Sequence, residues 1–207
     1  SLTKLMTALI VLEDQNYDLK LLISISKAAA DQENVPNYGN LKIGERFTIE
    51  KLLELTLSYS SNDAAYALAE LIGVDNFVEK MNFKARELGL NQTQFLNPTG
   101  LDPENLFYGL ETQNYFNYST ADNLAVLAKY IFQNQPLIFE ITLKKIVYSL
   151  NNGISNLVLV ENQIMLGGKT GYTDEAGGCL IFLFSDERGN VFVNIILGTT
   201  SAESRIL

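Results

Sequence analysis

The stretch Gly167-Gly-Lys-Thr-Gly-Tyr-Thr-Asp-Glu-Ala-Gly-Gly178, followed by the apolar run Cys179-Leu-Ile-Phe-Leu-Phe184, decides how this chain folds. Glycines punctuate the stretch, and the run behind it is typical of a buried β-strand. Gly168-Lys169-Thr170 also resembles the end of a phosphate-binding loop. That loop requires a glycine where Gln163 stands and a helix after the motif. We therefore interpret Lys169-Thr170-Gly171 as the edge of a strand and exclude a phosphate-binding loop of this type.

Two further motifs stand upstream: Ser1-Leu2-Thr3-Lys4 and Ser60-Ser61-Asn62. A Ser-x-x-Lys motif alone is weak evidence, because average composition predicts roughly one in a chain of this length. A second copy, Ser24-Ile25-Ser26-Lys27, lies on the strand-like run Leu21–Ser26, where residues three apart point to opposite faces. We expect ordinary strand residues there. An apolar helix is predicted over Leu2–Leu12, and because Ser1 and Lys4 are three residues apart, we expect both side chains on one face of it.

The composition limits which catalytic groups, metal ligands and partners the chain can have. The 207 residues include no histidine and a single cysteine, and the net charge is −9. Without histidine a Ser-His-Asp triad is impossible, so an activated serine needs a lysine as its base. A protein-built zinc site has almost no ligands to draw on, and we expect neither metal nor cofactor. The acidic charge argues against a nucleic-acid partner, and no apolar run reaches the roughly 18 residues of a membrane segment. Cys179 has apolar neighbours and is expected to be a buried packing thiol.

The order of the predicted elements favours an α+β fold, an antiparallel sheet flanked by helices. We expect one catalytic domain over 1–207, helical over about 1–135 and rich in strands over about 140–200. Beyond the first helix, helices are predicted over Ile49–Leu57 (capped by Thr48), Asp63–Ile72, Asn76–Leu88 and from a capping box at Ser119 and Asp122 to Phe132. Strands are predicted over Lys144–Leu150, Leu157–Val160, Gly178–Phe184 and Val191–Leu197, with a hairpin turn at Asp186–Asn190. The Ser60 motif falls on a polar turn between two helices.

The first and last residues of the sequence suggest a separate prediction, about the extent of the chain. The sequence opens on Ser1 without an initiator methionine or a signal peptide, and it stops at Leu207 shortly after a predicted strand. We expect a fragment truncated at both ends, so the missing export signal carries no information on localisation.

In order and spacing, the three motifs resemble those of the serine D-alanyl-D-alanine carboxypeptidases, which are the low-molecular-mass penicillin-binding proteins of the transpeptidase/β-lactamase-like superfamily. Four runs extend the resemblance over nearly the whole chain: Ser60–Glu70, Asn97–Asp102, Tyr118–Asp122 and Gly171–Gly177. The resemblance implies a five-stranded antiparallel sheet with helices on both sides. This chain lacks the strands that normally precede the nucleophile's helix and the helix that usually follows the last strand.

The resemblance also implies roles in an acyl transfer. Ser1 would attack the carbonyl between two D-alanines and form an acyl-enzyme. Lys4 would be its base, provided that the amine is neutral, a state that burial and the positive charge of Lys169 would favour. Ser60 would relay a proton to the departing D-alanine, and Asn62 would hold Lys4 and the substrate amide.

The remaining implied roles concern binding. Lys169 and Thr170 would bind the terminal carboxylate of the substrate, and Gly171 would let the substrate backbone approach the strand. The backbone N–H of Tyr172, with that of residue 1, would form the oxyanion hole. The implied partners are peptidoglycan stem peptides ending in D-Ala-D-Ala and β-lactam antibiotics, on the extracytoplasmic, cell-wall side of a bacterial membrane.

Several alternatives stay open. A β-lactamase needs a deacylating glutamate, often four residues before the Asn of a Leu-Asn pair, and Thr93 holds that place relative to Asn97. A D,D-endopeptidase shares all three motifs. A fragment that binds penicillin or peptide without turnover is the third alternative. The fourth is an N-terminal-nucleophile hydrolase using the α-amine of Ser1, which would leave the Lys-Thr-Gly stretch unexplained.

Overall fold

The computed structural model describes residues 1–14, 18–32, 39–102, 116–151 and 163–204, with the backbone alone over 145–151. Within these ranges, helices come first and the main sheet last. The helices are α1 (Lys4–Glu13), α2 (Lys27–Ala30), α3 (Ile49–Ser58), α4 (Asn62–Ala69), α5 (Val74–Glu87), α6 (Ala121–Asn134) and α7 (Leu137–Asn151), and a 3₁₀ turn, Glu70–Ile72, follows α4. The strands are β1 (Leu22–Ser24), β2 (Arg46–Thr48), β3 (Ile164–Thr173), β4 (Gly177–Ser185) and β5 (Val191–Thr199). None of these helices is both long and apolar enough to cross a membrane.

The main sheet has the antiparallel order β3-β4-β5, and β1 pairs with β2 in a small separate sheet. Strand β4 is the continuous apolar run seen in the sequence, and most of its side chains are buried. The predicted hairpin turn joins β4 to β5, with Asp186 Oδ1 accepting the backbone N–H groups of Arg188 (3.0 Å) and Asn190 (2.8 Å). The predicted α+β class with an antiparallel sheet is confirmed.

Two sequence predictions about α6 and α7 are wrong. The prediction of a strand over Lys144–Leu150 is wrong, because these residues form the second half of α7. The first half of that helix buries Ile138, Phe139 and Ile141 at helical spacing, and this packing overrides local propensity. Helical structure therefore extends to Asn151 rather than to about residue 135. The predicted strand Leu157–Val160 lies outside the described residues.

The second correction concerns the start of α6. The capping box was placed on Ser119, whereas Thr120 is the N-cap residue, with Oγ1 accepting the N–H of Asn123 at 3.2 Å. The hydroxyl of Ser119 instead lies 2.7 Å from Thr93 Oγ1. Thr48 caps α3 as predicted and accepts the N–H of Lys51 at 3.1 Å.

Helix α1 runs through the core of the helical part. Every residue from Lys4 to Val11 is buried, and α3, α4 and α5 pack around it. A helix that is apolar on all sides has to be surrounded by protein, and each large apolar side chain buried there stabilises the fold by about 1.5–3 kcal/mol. Because Lys4 opens this helix, its long side chain and terminal amine are carried into the interior.

A charged cluster fixes the other end of α1. Glu13 accepts the hydroxyl of Tyr130 at 2.6 Å and the ammonium of Lys84 at 2.8 Å. Burial opposes the charge of Lys84, but the hydrogen bonds that it donates to Glu13 and Glu87 outweigh burial and raise the pKa of this lysine above its ordinary 10.5. The hydrogen bond to Glu13 likewise raises the pKa of Tyr130. Both groups therefore stay protonated and join α1 to α5 and α6.

Strand β3 bulges where α7 packs on it, between Met165 and Gly167. Gly167 has φ +142°, and a Cβ there would lie 2.7 Å from the carbonyl oxygen of Phe139. The next residue, Gly168, donates its N–H to Thr142 Oγ1 of α7 at 3.1 Å. The glycine thus permits a close approach of helix and strand immediately before Lys169.

We predict that Gly167→Ala destabilises the protein by more than a glycine replacement that meets no neighbour. The strained backbone alone costs roughly 1–3 kcal/mol, and the collision with Phe139 adds to it. Gly189 is the matched control, because its φ is +79° and a Cβ there would have nothing within 4 Å. Denaturant unfolding of Gly167→Ala and Gly189→Ala measures the difference. Equal losses of stability would show that the close approach of α7 contributes nothing.

Candidate active site

The Ser60–Asn62 turn joins α3 to α4 and has an unusual backbone. Ser60 adopts a left-handed conformation with φ +59°, which is uncommon for a residue other than glycine. The N–H of Ser61 donates to the carbonyl of Leu55 at 3.2 Å, and its hydroxyl caps α4 by accepting the N–H of Ala64 at 3.1 Å. The sequence predicted a turn here, and the contacts show what keeps its strained residue in place.

Lys4 contacts this turn from α1. Its side chain is 0% exposed, and its Nζ donates to Asn62 Oδ1 and to the carbonyl oxygen of Thr99, each at 2.7 Å. The two acceptors come from segments far apart in sequence. They hold the amine in one position at the start of the helix.

Lys169 contacts the same turn from β3. It is 4% exposed, and its Nζ donates to Ser60 Oγ at 2.9 Å and to the carbonyl oxygen of Thr170 at 3.0 Å. The three sequence motifs therefore meet: the second motif accepts a hydrogen bond from the lysine of each of the others.

The Thr99 carbonyl that binds Lys4 belongs to a turn within the run Asn97–Asp102. The sequence predicted no role for this turn in the site. The side chain of Asn97 closes this turn, with its Oδ1 accepting the N–H groups of Gly100 (2.7 Å) and Thr99 (3.2 Å). Its Nδ2 donates to the carbonyl of Leu101 at 2.9 Å. The run Asn97–Asp102 was recognised only as part of the family resemblance, because a backbone acceptor leaves no signature in the sequence.

Two further side chains tie this turn to α1. Asn117 Nδ2 donates to the carbonyl of Asn97 and to Thr3 Oγ1, both at 3.0 Å. Thr7 Oγ1 donates to the carbonyl of Pro98 at 2.6 Å. The turn and the helix that carries Lys4 are thus fixed to each other on both sides of the lysine.

Ser1 lies one turn before Lys4, whose N–H donates to the Ser1 carbonyl at 3.2 Å. Ser1 borders a cavity of about 480 Å³, which Gly171, Tyr172 and Cys179 also line. A Cβ on Gly171 would lie 3.4 Å from the backbone nitrogen of Leu2. The glycine of the third motif therefore lies against the residue after Ser1, and the buried position predicted for Cys179 is confirmed.

Ser1 is half-buried at the border of this cavity, whereas Lys4 and Lys169 are both buried. The two lysine amines are therefore held inside the protein, each by an acceptor on the Ser60–Asn62 turn.

The other residues singled out in the sequence divide into two groups. Thr170 is half-buried and lies opposite Leu180 of β4, and Tyr172 is largely exposed, its hydroxyl 3.3 Å from Asp174 Oδ1. Both are on the strand that carries Lys169. The second Ser-x-x-Lys copy lies where β1 ends and α2 begins, and its Lys27 forms an exposed ion pair with Asp31. Among the residues described, no cluster of His, Cys, Asp and Glu side chains is suited to a metal ion.

Known proteins match both the sequence and the fold. The sequence profile of the D-alanyl-D-alanine carboxypeptidase family, peptidase S11, matches residues 1–200. The D-alanyl-D-alanine carboxypeptidase DacF of Bacillus subtilis is 32% identical over 219 residues, covering 99% of this chain and 52% of the relative. The D-alanyl-D-alanine endopeptidase of Escherichia coli is 32% identical over 193 residues, covering 87% of this chain and 57% of the relative. This chain thus spans about half the length of these two relatives.

A solved structure of similar fold is penicillin-binding protein D2 of Listeria monocytogenes in its cefotaxime-bound form. It superimposes with a TM-score of 0.75 at 26% identity, covering 99% of this chain and 81% of that protein. The likeness includes the helical part and the sheet, because nearly the whole chain is covered.

Proposed function

Because this chain belongs to the D-alanyl-D-alanine carboxypeptidase family (peptidase S11), we propose that it is a serine carboxypeptidase that removes the terminal D-alanine of peptidoglycan stem peptides. The observation that carries the proposal is the meeting of two buried lysines on the Ser60–Asn62 turn beside Ser1. In a chain without histidine, this arrangement supplies the basic groups that an activated serine requires.

Ser1 is the nucleophile and Lys4 its base. Lys4, in its neutral form, accepts the hydroxyl proton as the bond between Ser1 Oγ and the peptide carbonyl carbon forms, and the backbone amide N–H groups of Tyr172 and residue 1 stabilise the oxyanion. The buried position of Lys4 and its two fixed acceptors, Asn62 Oδ1 and the Thr99 carbonyl, support this role. Preorganised groups of this kind need no rearrangement during the reaction, and one oxyanion donor is worth about 100- to 1,000-fold in rate.

The leaving group receives its proton through Ser60. As the carbon–nitrogen bond to the terminal D-alanine breaks, Ser60 passes its hydroxyl proton to the amine and is reprotonated by the proton that Lys4 accepted, so Lys4 is neutral again. Lys4 then takes a proton from the water that attacks the ester, and Ser1 Oγ leaves with a proton as its hydroxyl forms again. The hydrogen bond from Lys169 Nζ to Ser60 Oγ supports this relay, since it fixes the position of the hydroxyl oxygen. Asn62, already at Lys4, orients the substrate amide.

The substrate's terminal carboxylate binds at Lys169 and Thr170. The position of Lys169 supports this assignment, because its Nζ lies at the Ser60 hydroxyl and at the Thr170 carbonyl, on the strand that carries Gly171. Gly171 keeps the strand free of a side chain where the substrate backbone would approach, although a Cβ there would also contact Leu2.

We propose two consequences for partners and place of action. Penicillins and other β-lactams would acylate Ser1, as the cefotaxime-bound form of the Listeria protein supports. The protein would act on the cell-wall side of the membrane, where its substrate is found. The second candidate function is that of a D,D-endopeptidase. It is supported by the Escherichia coli relative, which is named a D-alanyl-D-alanine endopeptidase. Thr93 offers no carboxylate for a β-lactamase and contacts Ser119 and Asn123 instead.

We predict that Lys4→Met slows acylation by a fluorescent penicillin about 100-fold or more, the usual contribution of a general base. The variant fills the same space, but Asn62 Oδ1 and the Thr99 carbonyl lose a donor, which should reduce stability by roughly 1–3 kcal/mol. Lys27→Met is the matched control from the second Ser-x-x-Lys copy and should leave the acylation rate and the fold unchanged, because its exposed ion pair contributes little. Acylation of a folded Lys4→Met at the normal rate would contradict the assignment of the base.

We predict that amidation of the terminal D-alanine lowers kcat/KM for its release. A charge-assisted contact with Lys169 is worth about 1.5–3 kcal/mol, or roughly 10- to 150-fold. Release of D-alanine from the acid and amide forms of one stem peptide measures the ratio, and Lys169→Met should bring that ratio towards one. Equal rates for the two forms in the unmodified protein would favour the endopeptidase.

A further inference from the structure

Asp63 follows the Ser60–Asn62 turn directly, and its carboxylate has no part in the proposed chemistry. The side chain is 0% exposed. Its Oδ1 accepts the N–H of Ala64 at 2.8 Å and the hydroxyl of Ser61. Its Oδ2 accepts the N–H of Leu41 at 2.7 Å. Ser61 and Leu41 come from segments 20 or more positions apart, so one buried carboxylate joins two parts of the chain.

The segment that Asp63 holds, residues 39–41, lies directly on the turn. Gly39 has φ +144° and Asn40 has φ +58°. A Cβ on Gly39 would lie 2.6 Å from Ser61 Oγ and would also overlap the Asp63 carboxylate. Only a glycine lets the backbone come this close, so the contact is a built feature of the fold rather than a loose surface approach.

We infer that Asp63 is a positioning residue for the proposed acyl transfer. By clamping residues 39–41 onto the turn, it holds Ser60 in its left-handed conformation and keeps Asn62 at Lys4. The inference rests on the proposed function. It adds Asp63, to which that proposal gives no contact with the substrate or with Lys4 and Lys169.

The physical basis is the strain at Ser60. A residue with positive φ that is not glycine persists only where its surroundings over-determine it, at a cost of order 1–3 kcal/mol. The N–H of Ser61 is held by Leu55 on one side of the turn. Asp63 supplies the restraint on the other side, and its charge suits the second position of α4, where helix N–H groups attract an anion.

The carboxylate cannot be replaced by an amide without loss. Asp63→Asn keeps the size of the side chain but offers one acceptor oxygen instead of two. Either the N–H of Leu41 or the pair formed by Ala64 N–H and the Ser61 hydroxyl then faces an NH₂ group. One side of the clamp opens, and the turn gains freedom at Ser60 and Asn62.

The test measures acylation by a fluorescent penicillin as a function of its concentration. We expect Asp63→Asn to lower the maximal acylation rate by about 10- to 100-fold, the effect of misplacing reacting groups by roughly 1 Å. The half-saturating concentration should change much less, because the carboxylate-binding residues stay in place. Ser26→Ala is the matched control: Ser26 also caps a helix and ties two segments, through Ala29 and Glu70, but away from the turn. It should lower the thermal midpoint and leave the acylation rate unchanged.

A second variant tests the same contact from its other side. Gly39→Ala leaves the carboxylate intact but pushes residues 39–41 off it, so it should also slow acylation. Since both changes open one clamp, the double variant should be no slower than the slower single variant.

Each outcome decides the inference. An unchanged maximal rate in Asp63→Asn, or two effects that multiply in the double variant, would overturn it. If Asp63→Asn does not fold, Gly39→Ala decides: a slowed rate in a folded protein supports the clamp, and an unchanged rate overturns it. Absence of acylation in the unmodified protein would instead refute the proposed function.

Discussion

Lys4 and Lys169 bring two amine groups out of water, and the Ser60–Asn62 turn accepts a hydrogen bond from each. Burying a polar group costs several kcal/mol unless it finds hydrogen-bond partners in the protein. Asn62 Oδ1, the Thr99 carbonyl, Ser60 Oγ and the Thr170 carbonyl are those acceptors. The geometry of this one turn therefore governs where both lysines point, and with them the base and the anion-binding group of the proposed site.

The elements that carry the two lysines are fixed independently of each other. Helix α1 is held by the apolar core around it and by the Glu13 cluster at its far end. Strand β3 is held by β4 and by the close approach of α7 at Gly167. A site built on rigid elements keeps its groups within a fraction of an ångström of the productive geometry. The turn that meets both lysines has a strained residue at Ser60, and it is held by the contacts of Ser61 with Leu55 and Ala64 and by the buried Asp63.

Spacing and local pattern were enough to predict the parts of the site that depend on one segment. Lys4 was predicted on a helix, Ser60 on a turn and Lys169 on a strand, and the structure has these elements; Ser1 was predicted on the same helix as Lys4 but lies before its first residue. Contacts between distant segments could not be predicted. The Thr99 carbonyl that binds Lys4 is a backbone atom, and its position depends on how the side chains of Asn97 and Asn117 fold the loop.

The errors in the fold have the same origin. The residues Lys144–Leu150 have strand propensity, yet they continue a helix whose first turns are anchored in the core. The cap of α6 moved by one residue, from Ser119 to Thr120, because Ser119 is engaged by Thr93. In each case a tertiary contact outweighed a local preference of a few tenths of a kcal/mol to about 1 kcal/mol.

The identity of the nucleophile is tested most directly by mapping a covalent penicillin adduct by mass spectrometry. Two serines in this site lie near a lysine. Ser1 lies one turn from Lys4, and Ser60 Oγ accepts a hydrogen bond from Lys169 Nζ at 2.9 Å. After digestion of the labelled protein, the adduct should be found on the peptide that contains Ser1, with none on the peptide that contains Ser60. An adduct on Ser60 would contradict the assignment of Ser1 and Lys4 as nucleophile and base.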